Sequence, residues 1–236
     1  HRTRPRRLAW QPLHVTTRLA GGLPDLREPG AQRVLLRKLR EGSSRFGFRL
    51  VEYSVQSTHF HLLVEVPDQR ALTRGAKGLF VRLAKALNKL WQRKGRVFAH
   101  RYHAVAKVTA RAVRNALVYV LHNARKHGRL GLELDPFSSS PCFDGYRSEA
   151  QCGNSSELDA ARLRSASTGA AALLGRLNGC IAVHELRRWP AVSRRARTWL
   201  LARGWRRLGL IDPRESPSTR GADAWFELGW RAVARS

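Results

Sequence analysis

Two hydrophobic periods alternate along the first half of the chain. From Pro12 to Leu19, Val15 stands between polar neighbours, the two-residue repeat of a half-buried strand. Gly21, Gly22, Pro24 and Pro29 then punctuate a loop. Gln32 to Phe46 changes to helical spacing, with Val34, Leu35, Leu39 and Phe46 on one side and Gly47 read as the stop. Phe48–Gln56 and Thr58–Val66 return to strand patterning, and the short gap between them predicts an antiparallel hairpin. Gln69–Lys94 is the clearest helix: Leu72, Ala76, Leu79, Leu83, Leu87 and Leu90 line one face. Arg101–Val108 reads as a further strand. Thr109 is placed as the N-cap of a helix running to His127, with Gly128 as its stop.

That order predicts an α+β fold: a ferredoxin-like (RRM-like) four-stranded antiparallel sheet with helices on one face, plus a helical C-terminal extension. The expected organisation is a basic arm over residues 1–11, the main domain over 12–130, a linker-like loop over 131–155, and a mostly helical basic extension over 156–236. Within the extension, Ser156–Leu177 and Ser193–Leu208 carry helical patterning, and Trp189, Trp199 and Trp205 are read as its core.

Charge narrows the partner. The chain has 44 Lys+Arg against 17 Asp+Glu, a net charge of +27. Sixteen of those cations fall between Gln69 and Leu132, where no Asp or Glu occurs. A one-sided excess of this size points to a polyanion, and the predominance of arginine suits phosphate contacts. No stretch is long and apolar enough to span a bilayer, so the expected partner is nucleic acid and not a membrane. Cys142, Cys152 and Cys180 form no CxxC pair and read as reduced thiols, which agrees with a cytoplasmic, nucleoid-associated protein.

Two segments carry candidate chemistry. In Thr58-His59-Phe60-His61-Leu62, strand alternation puts both histidines on one face and Phe60 and Leu62 on the other. Two adjacent imidazoles can hold a metal ion; the same triplet also describes two surface histidines. Glu65 shares that face by parity and is a minor candidate as ligand or base. The second segment is the last helix, where Tyr119 and Asn123 stack one turn apart beside a buried stripe of Val113, Leu117, Val120 and Ala124.

Taken together, the element order, the histidine pair and the downstream Tyr-x-x-x-Asn resemble the HUH superfamily, and within it the REP-associated, single-tyrosine transposases of the insertion-sequence-200-like group. Local matches are Pro12-Leu13-His14-Val15-Thr16, Gly47-Phe48-Arg49, Ser54-Val55-Gln56, Gly95-Arg96-Val97-Phe98 and Arg101-Tyr102-His103. The resemblance spans about Pro12 to Gly128. It departs from the family at Thr58, often Asn, and at Ala124, often Pro. It implies Tyr119 as nucleophile, His59, His61 and Asn123 as ligands of Mg²⁺ or Mn²⁺, and single-stranded, hairpin-containing DNA as substrate. Arg4, Arg6, Arg7, Lys77, Arg82, Lys85, Lys89, Arg93, Arg101 and Lys126 are the expected phosphate contacts. A replication or mobilisation nickase of the same superfamily, and a regulator that binds DNA without cutting it, are the rival readings. Monomer and homodimer stay open.

Overall fold

In a computed structural model, residues 10–126, 134–147 and 192–217 are described, the side chain of Lys126 excepted. The expected arm cations Arg4, Arg6 and Arg7, and the helix expected over Ser156–Leu177, lie outside these residues. The described chain contains β1 (Gln11–Arg18), α1 (Pro29–Gly42), β2 (Ser44–Arg45), β3 (Phe48–Val55), β4 (His59–Val66), α2 (Gln69–Leu90), β5 (His103–Ala106), α3 (Ala110–Leu121) and a short turn α4 (Asn123–Lys126). Towards the C-terminus follow a 3₁₀ turn (Ser140–Cys142), one helical turn α5 (Trp199–Ala202) and a second 3₁₀ segment (Gly204–Leu208).

The strands form one antiparallel sheet in the order β2-β3-β4-β1-β5. Without the two-residue β2, this is the ferredoxin-like order, with β4 and β1 at the centre. The α+β class therefore holds. One face is covered by α1 and α2: Leu13, Val15, Phe60, Leu62 and Val64 of the sheet meet Leu35, Leu39, Leu72, Leu79 and Leu83. Asp68 starts α2 by accepting from the Ala71 amide at 2.7 Å, which satisfies one of the helix's open donors. Gly75 lets α2 approach closely, because a Cβ there would lie 2.2 Å from the Phe48 Cβ.

Several details differ from the sequence expectation. The first helix ends at Gly42, not Phe46. Phe46 and Gly47 both take positive φ, 57° and 77°, and form the two-residue turn of a β2–β3 hairpin. Turns of this hand match strand twist, and that local demand outweighs the apolar spacing of Phe46. The fifth strand arises from this hairpin. The helix starting at Thr109 forms as expected, with the Thr109 hydroxyl accepting from Ala112, but it breaks at His122.

Helices also do not keep to one face. α3 packs on the opposite side of the sheet, against Val51 and Leu63, and is covered in turn by Leu201, Trp205 and Ile211. Its apolar stripe is consequently wider than expected and includes Ala116, Val118 and Leu121. The segment 192–217 is therefore a strap across that face. Ser193–Leu208, expected as one helix, is non-helical up to Thr198 and then makes only α5 and the 3₁₀ segment.

The Ser-rich run after residue 134 is irregular, as expected of a loop, but it is packed and not linker-like. Asp135 pairs with Arg27 through two hydrogen bonds of 2.8 and 3.0 Å. Val55 donates to the Phe137 carbonyl, and Ser139 to that of Tyr53, so this run continues the outer edge of β3 beyond β2. Covering a sheet edge in this way also blocks strand addition by another chain.

Candidate active site

The two central strands and α3 bring His59, His61 and Tyr119 together, whereas Asn123 lies in the turn after α3 and shares no hydrogen bond with them. On β4, His59, His61, Leu63 and Glu65 share the face that α3 covers, whereas Phe60, Leu62 and Val64 enter the core. The His59 and His61 rings are 4.8 Å apart and perpendicular. Tyr119 comes from α3 and sets its ring edge-on to His61 at 5.1 Å. His61 is fully buried, and Tyr119 keeps 6% of its surface exposed. Residues 58 positions apart in sequence thus meet because α3 lies on the second face.

A third histidine joins them. His14, on β1, places Nε2 3.1 Å from His61 Nδ1, and its ring lies 5.7 Å from that of Tyr119. Its position within a family-like motif marked it in sequence, but only the β1–β4 register shows what it meets. Burial, with Lys107 and His103 nearby, pushes the His14 pKa down to about 3, so this ring is neutral. Just before β4, Thr58 sets its hydroxyl 3.3 Å from His59 Nδ1, so this position supplies a polar atom at that ring.

Asn123 follows the helix break and is fully buried, with neither its Oδ1 nor its Nδ2 hydrogen-bonded among the described residues. An amide buried without partners is costly, and its oxygen is chemically able to serve as a ligand. No three His, Cys, Asp or Glu side chains converge on a metal position among the described residues. The expected set contains only two such side chains, the imidazoles of His59 and His61, with a neutral amide as the third member. Such donors suit a divalent cation that completes its shell with water or phosphate oxygens, and they favour Mn²⁺ over Mg²⁺.

Glu65 lies on the expected face but is already engaged. Its carboxylate accepts from the amides of Arg197 and Thr198 and from the Thr198 hydroxyl, at 2.7–3.0 Å. It anchors the strap and does not face the histidines as a base. A second carboxyl group, Glu52, reaches this face although simple alternation from Leu50 does not place it there. A bulge between Leu50 and Glu52 sets it opposite Leu63, one rung from His61 on the same face. Burial raises its pKa to about 8, against a hydrogen bond from Ser139 that lowers it.

His122, beside Asn123, has a structural role. Its Nδ1 lies 2.6 Å from the Glu215 carbonyl, which can only accept, so Nδ1 carries the proton. Nε2 then accepts from the Tyr146 hydroxyl at 3.1 Å, and Tyr146 also contacts the Ser140 hydroxyl. Burial lowers the His122 pKa to about 4.

The expected DNA contacts divide by layer. Lys77, Lys85 and Lys89 are exposed on α2, which covers the sheet face away from the histidines. Half-buried Arg82 lies against α1, near Gly42, and Arg93 donates to Asn88, tying down the end of α2. Arg101 is exposed just before β5. The cation nearest the pair in the strand register is one not singled out from sequence: exposed Arg18, directly across from His59.

Comparison with solved structures gives partial likenesses, among them the following two. The chain is similar to a REP-associated tyrosine transposase bound to a REP hairpin, with 17% identity and a TM-score of 0.47, over 59% of this chain and 82% of that one. It is also similar to a Deinococcus radiodurans R1 protein designated a transposase, with 16% identity and a TM-score of 0.36, over 44% of this chain and 85% of that one. No family model and no curated protein matches it. Among the described residues, no helix is long and apolar enough to cross a membrane.

The shifted groups predict a stability profile with a maximum near pH 6.5. His14 and His122 have lowered pKa values, so their contribution is complete above the unfolded value of 6.5 and is lost as pH falls towards 3 and 4. Glu52 has a raised pKa, so its contribution is complete below the unfolded value of 4.5 and is lost as pH rises towards 8. Each unmatched proton contributes a slope of at most about 1.4 kcal/mol per pH unit. Urea unfolding from pH 4 to 9 should show both limbs. Glu52→Gln should flatten the alkaline limb and His122→Gln should soften the acid one; parallel curves for wild type and both variants would contradict the assignment.

Proposed function

We propose that this chain is a metal-dependent single-tyrosine transposase that nicks and rejoins single-stranded, hairpin-containing DNA. The observation that carries the reading is the packing of the Tyr119 ring against His61 and His14, at 5.1 and 5.7 Å. In this reading the Tyr119 hydroxyl attacks a backbone phosphorus. A 5′-phosphotyrosine bond forms, the bond to the 3′ oxygen breaks, and the phenol proton is balanced by the proton gained at the free 3′ hydroxyl. The phosphotyrosine conserves the bond energy, so a 3′ hydroxyl can reverse the step and rejoin strands.

His59, His61 and Asn123 would hold Mg²⁺ or Mn²⁺, whose chemistry is to polarise a non-bridging phosphate oxygen and to neutralise charge on the leaving oxygen. The chain's own residues do the rest. Half-buried His59, with exposed Thr58, Arg18 and His103 around it, forms the open side through which a phosphate can approach. Buried His61 and the sheet beneath fix the tyrosine ring, which lowers the cost of orienting the nucleophile. Lys77, Lys85 and Lys89 face a different side and would grip flanking DNA, not the phosphate that is cut.

The test is cleavage of a labelled hairpin oligonucleotide with a single-stranded flank. Activity is expected with Mn²⁺ or Mg²⁺ and none in excess chelator. His59→Ala and His61→Ala should lose cleavage but keep DNA affinity, and that affinity should fall steeply with salt. Full activity in chelator would sink the metal site. Tight binding without cleavage in any divalent metal would instead favour the regulator reading.

A further inference from the structure

We propose that His14 is a positioning residue: it accepts the His61 Nδ1 proton and so leaves the His61 Nε2 lone pair turned to the site. The inference deepens the proposed function and rests on it for the use of that lone pair. β1 and β4 are neighbouring central strands, and their register sets Thr16 opposite His61 and His14 opposite Leu63. His14 and His61 are therefore diagonal neighbours on one sheet face, within reach of side chains of this size. The 3.1 Å contact joins Nε2 of one ring to Nδ1 of the other.

A hydrogen bond between two neutral imidazoles needs one N–H and one lone pair, so it couples their tautomers. Were His14 the donor, His61 would keep its proton on Nε2 and offer no electron pair there. With His61 as donor, Nε2 is basic and His14 carries its own proton on Nδ1. Only the second arrangement lets His61 ligate a cation. A partner bonded to the second nitrogen is also what raises the basicity of a ligating imidazole and fixes its plane. His14 has a further constraint in view: its ring lies edge-on to Tyr119 at 65°, so His14, His61 and Tyr119 are in mutual ring contact. A change at His14 reaches both the imidazole and the tyrosine.

The experiment uses the full chain, labelled with ¹⁵N-histidine and stripped of metal. Two-bond proton–nitrogen spectra identify the tautomer of each ring. His61 is expected to carry its proton on Nδ1 in the wild type and to shift towards the Nε2–H form in His14→Ala. His14→Gln, whose amide oxygen can take the place of the accepting nitrogen, should restore the wild-type tautomer. Mn²⁺ alone, titrated calorimetrically, should bind His14→Ala about 10- to 100-fold more weakly and His14→Gln close to wild type. A His61 proton on Nε2 in the wild type overturns the proposal. So does an Ala variant that keeps the Nδ1–H form and wild-type Mn²⁺ affinity, or a folded Gln variant that fails as the Ala variant does. Should His14→Ala not fold, the wild-type and Gln spectra decide. A wild type without Mn²⁺ affinity removes the metal site from the proposed function, while the tautomer spectra still decide the role of His14.

Discussion

Tyr119→Phe should fold normally and form no covalent adduct with DNA. The ring is nearly buried and packs edge-on against His61 and His14, contacts that phenylalanine keeps. Only the hydroxyl is lost, and with it the proposed nucleophile. Cleavage should fall by on the order of 10³-fold or more, because no neighbouring group replaces an oriented nucleophile. The other tyrosines are placed for different work. Tyr53 and Tyr102 belong to the core on the far face of the sheet. Burial holds the Tyr53 and Tyr146 hydroxyls far above their ordinary pKa, and Tyr146 is engaged by His122 and Ser140. The wild type, Tyr53→Phe, Tyr102→Phe and Tyr146→Phe should each become attached to the 5′ end of a labelled strand and leave a free 3′ hydroxyl. Denaturing gels with mass spectrometry of the phosphopeptide would read this directly. An adduct on another tyrosine, or cleavage without any adduct, would overturn the assignment; the latter would make water the nucleophile.

Much of the sheet and of the site was legible because both depend on local periods. Alternation alone predicts that His59 and His61 share a face, and it holds over all of β4. Helical spacing likewise gives the core-facing residues of α2, except Leu90, which is exposed where the helix ends, and Thr109 gives the start of α3. What was not legible depends on contacts between distant segments. A period cannot say which face of the sheet a helix will cover, so the pattern alone sets α3 with the other helices, whereas it packs on the opposite face. Nor can it reveal register, which is what sets His14 against His61 and Arg18 across from His59. The bulge that puts Glu52 on the face α3 covers has no signal in composition. The strap departs from one continuous helix for a related reason, since distant segments hold it: the Arg194 amide bonds the Leu50 carbonyl, the Arg194 side chain donates to Ser43 and the Arg206 side chain reaches Asp144. Arg114 similarly leaves the basic stretch to form a two-point ion pair with Glu215. Part of the excess charge is therefore used to hold the strap to α3 and the sheet.

Glu65→Ala should destabilise the protein by about 3 kcal/mol or more, an effect that surface carboxylates do not have. The carboxylate is fully buried on β4 and accepts two backbone amides and one hydroxyl from a single turn of the strap. Alanine removes the acceptor and leaves those donors without one. Arg49, directly across the sheet from Glu65, would also lose the opposite charge beside it. Glu65→Gln keeps one accepting oxygen but turns an NH₂ towards N–H donors, so it should fall between wild type and alanine. Thr198→Val removes one hydroxyl bond to Glu65 and the N-cap of α5, and should cost about 1 kcal/mol. Denaturant unfolding gives the three losses, and hydrogen exchange at Arg197, Thr198 and Leu201 shows whether the strap opens before the sheet. A base or ligand role for Glu65 predicts the opposite pattern, with activity lost while stability and strap exchange stay at wild-type values. The ordering alanine, glutamine, valine, from largest loss to smallest, with exchange rising in the strap first, is what an anchoring carboxylate requires.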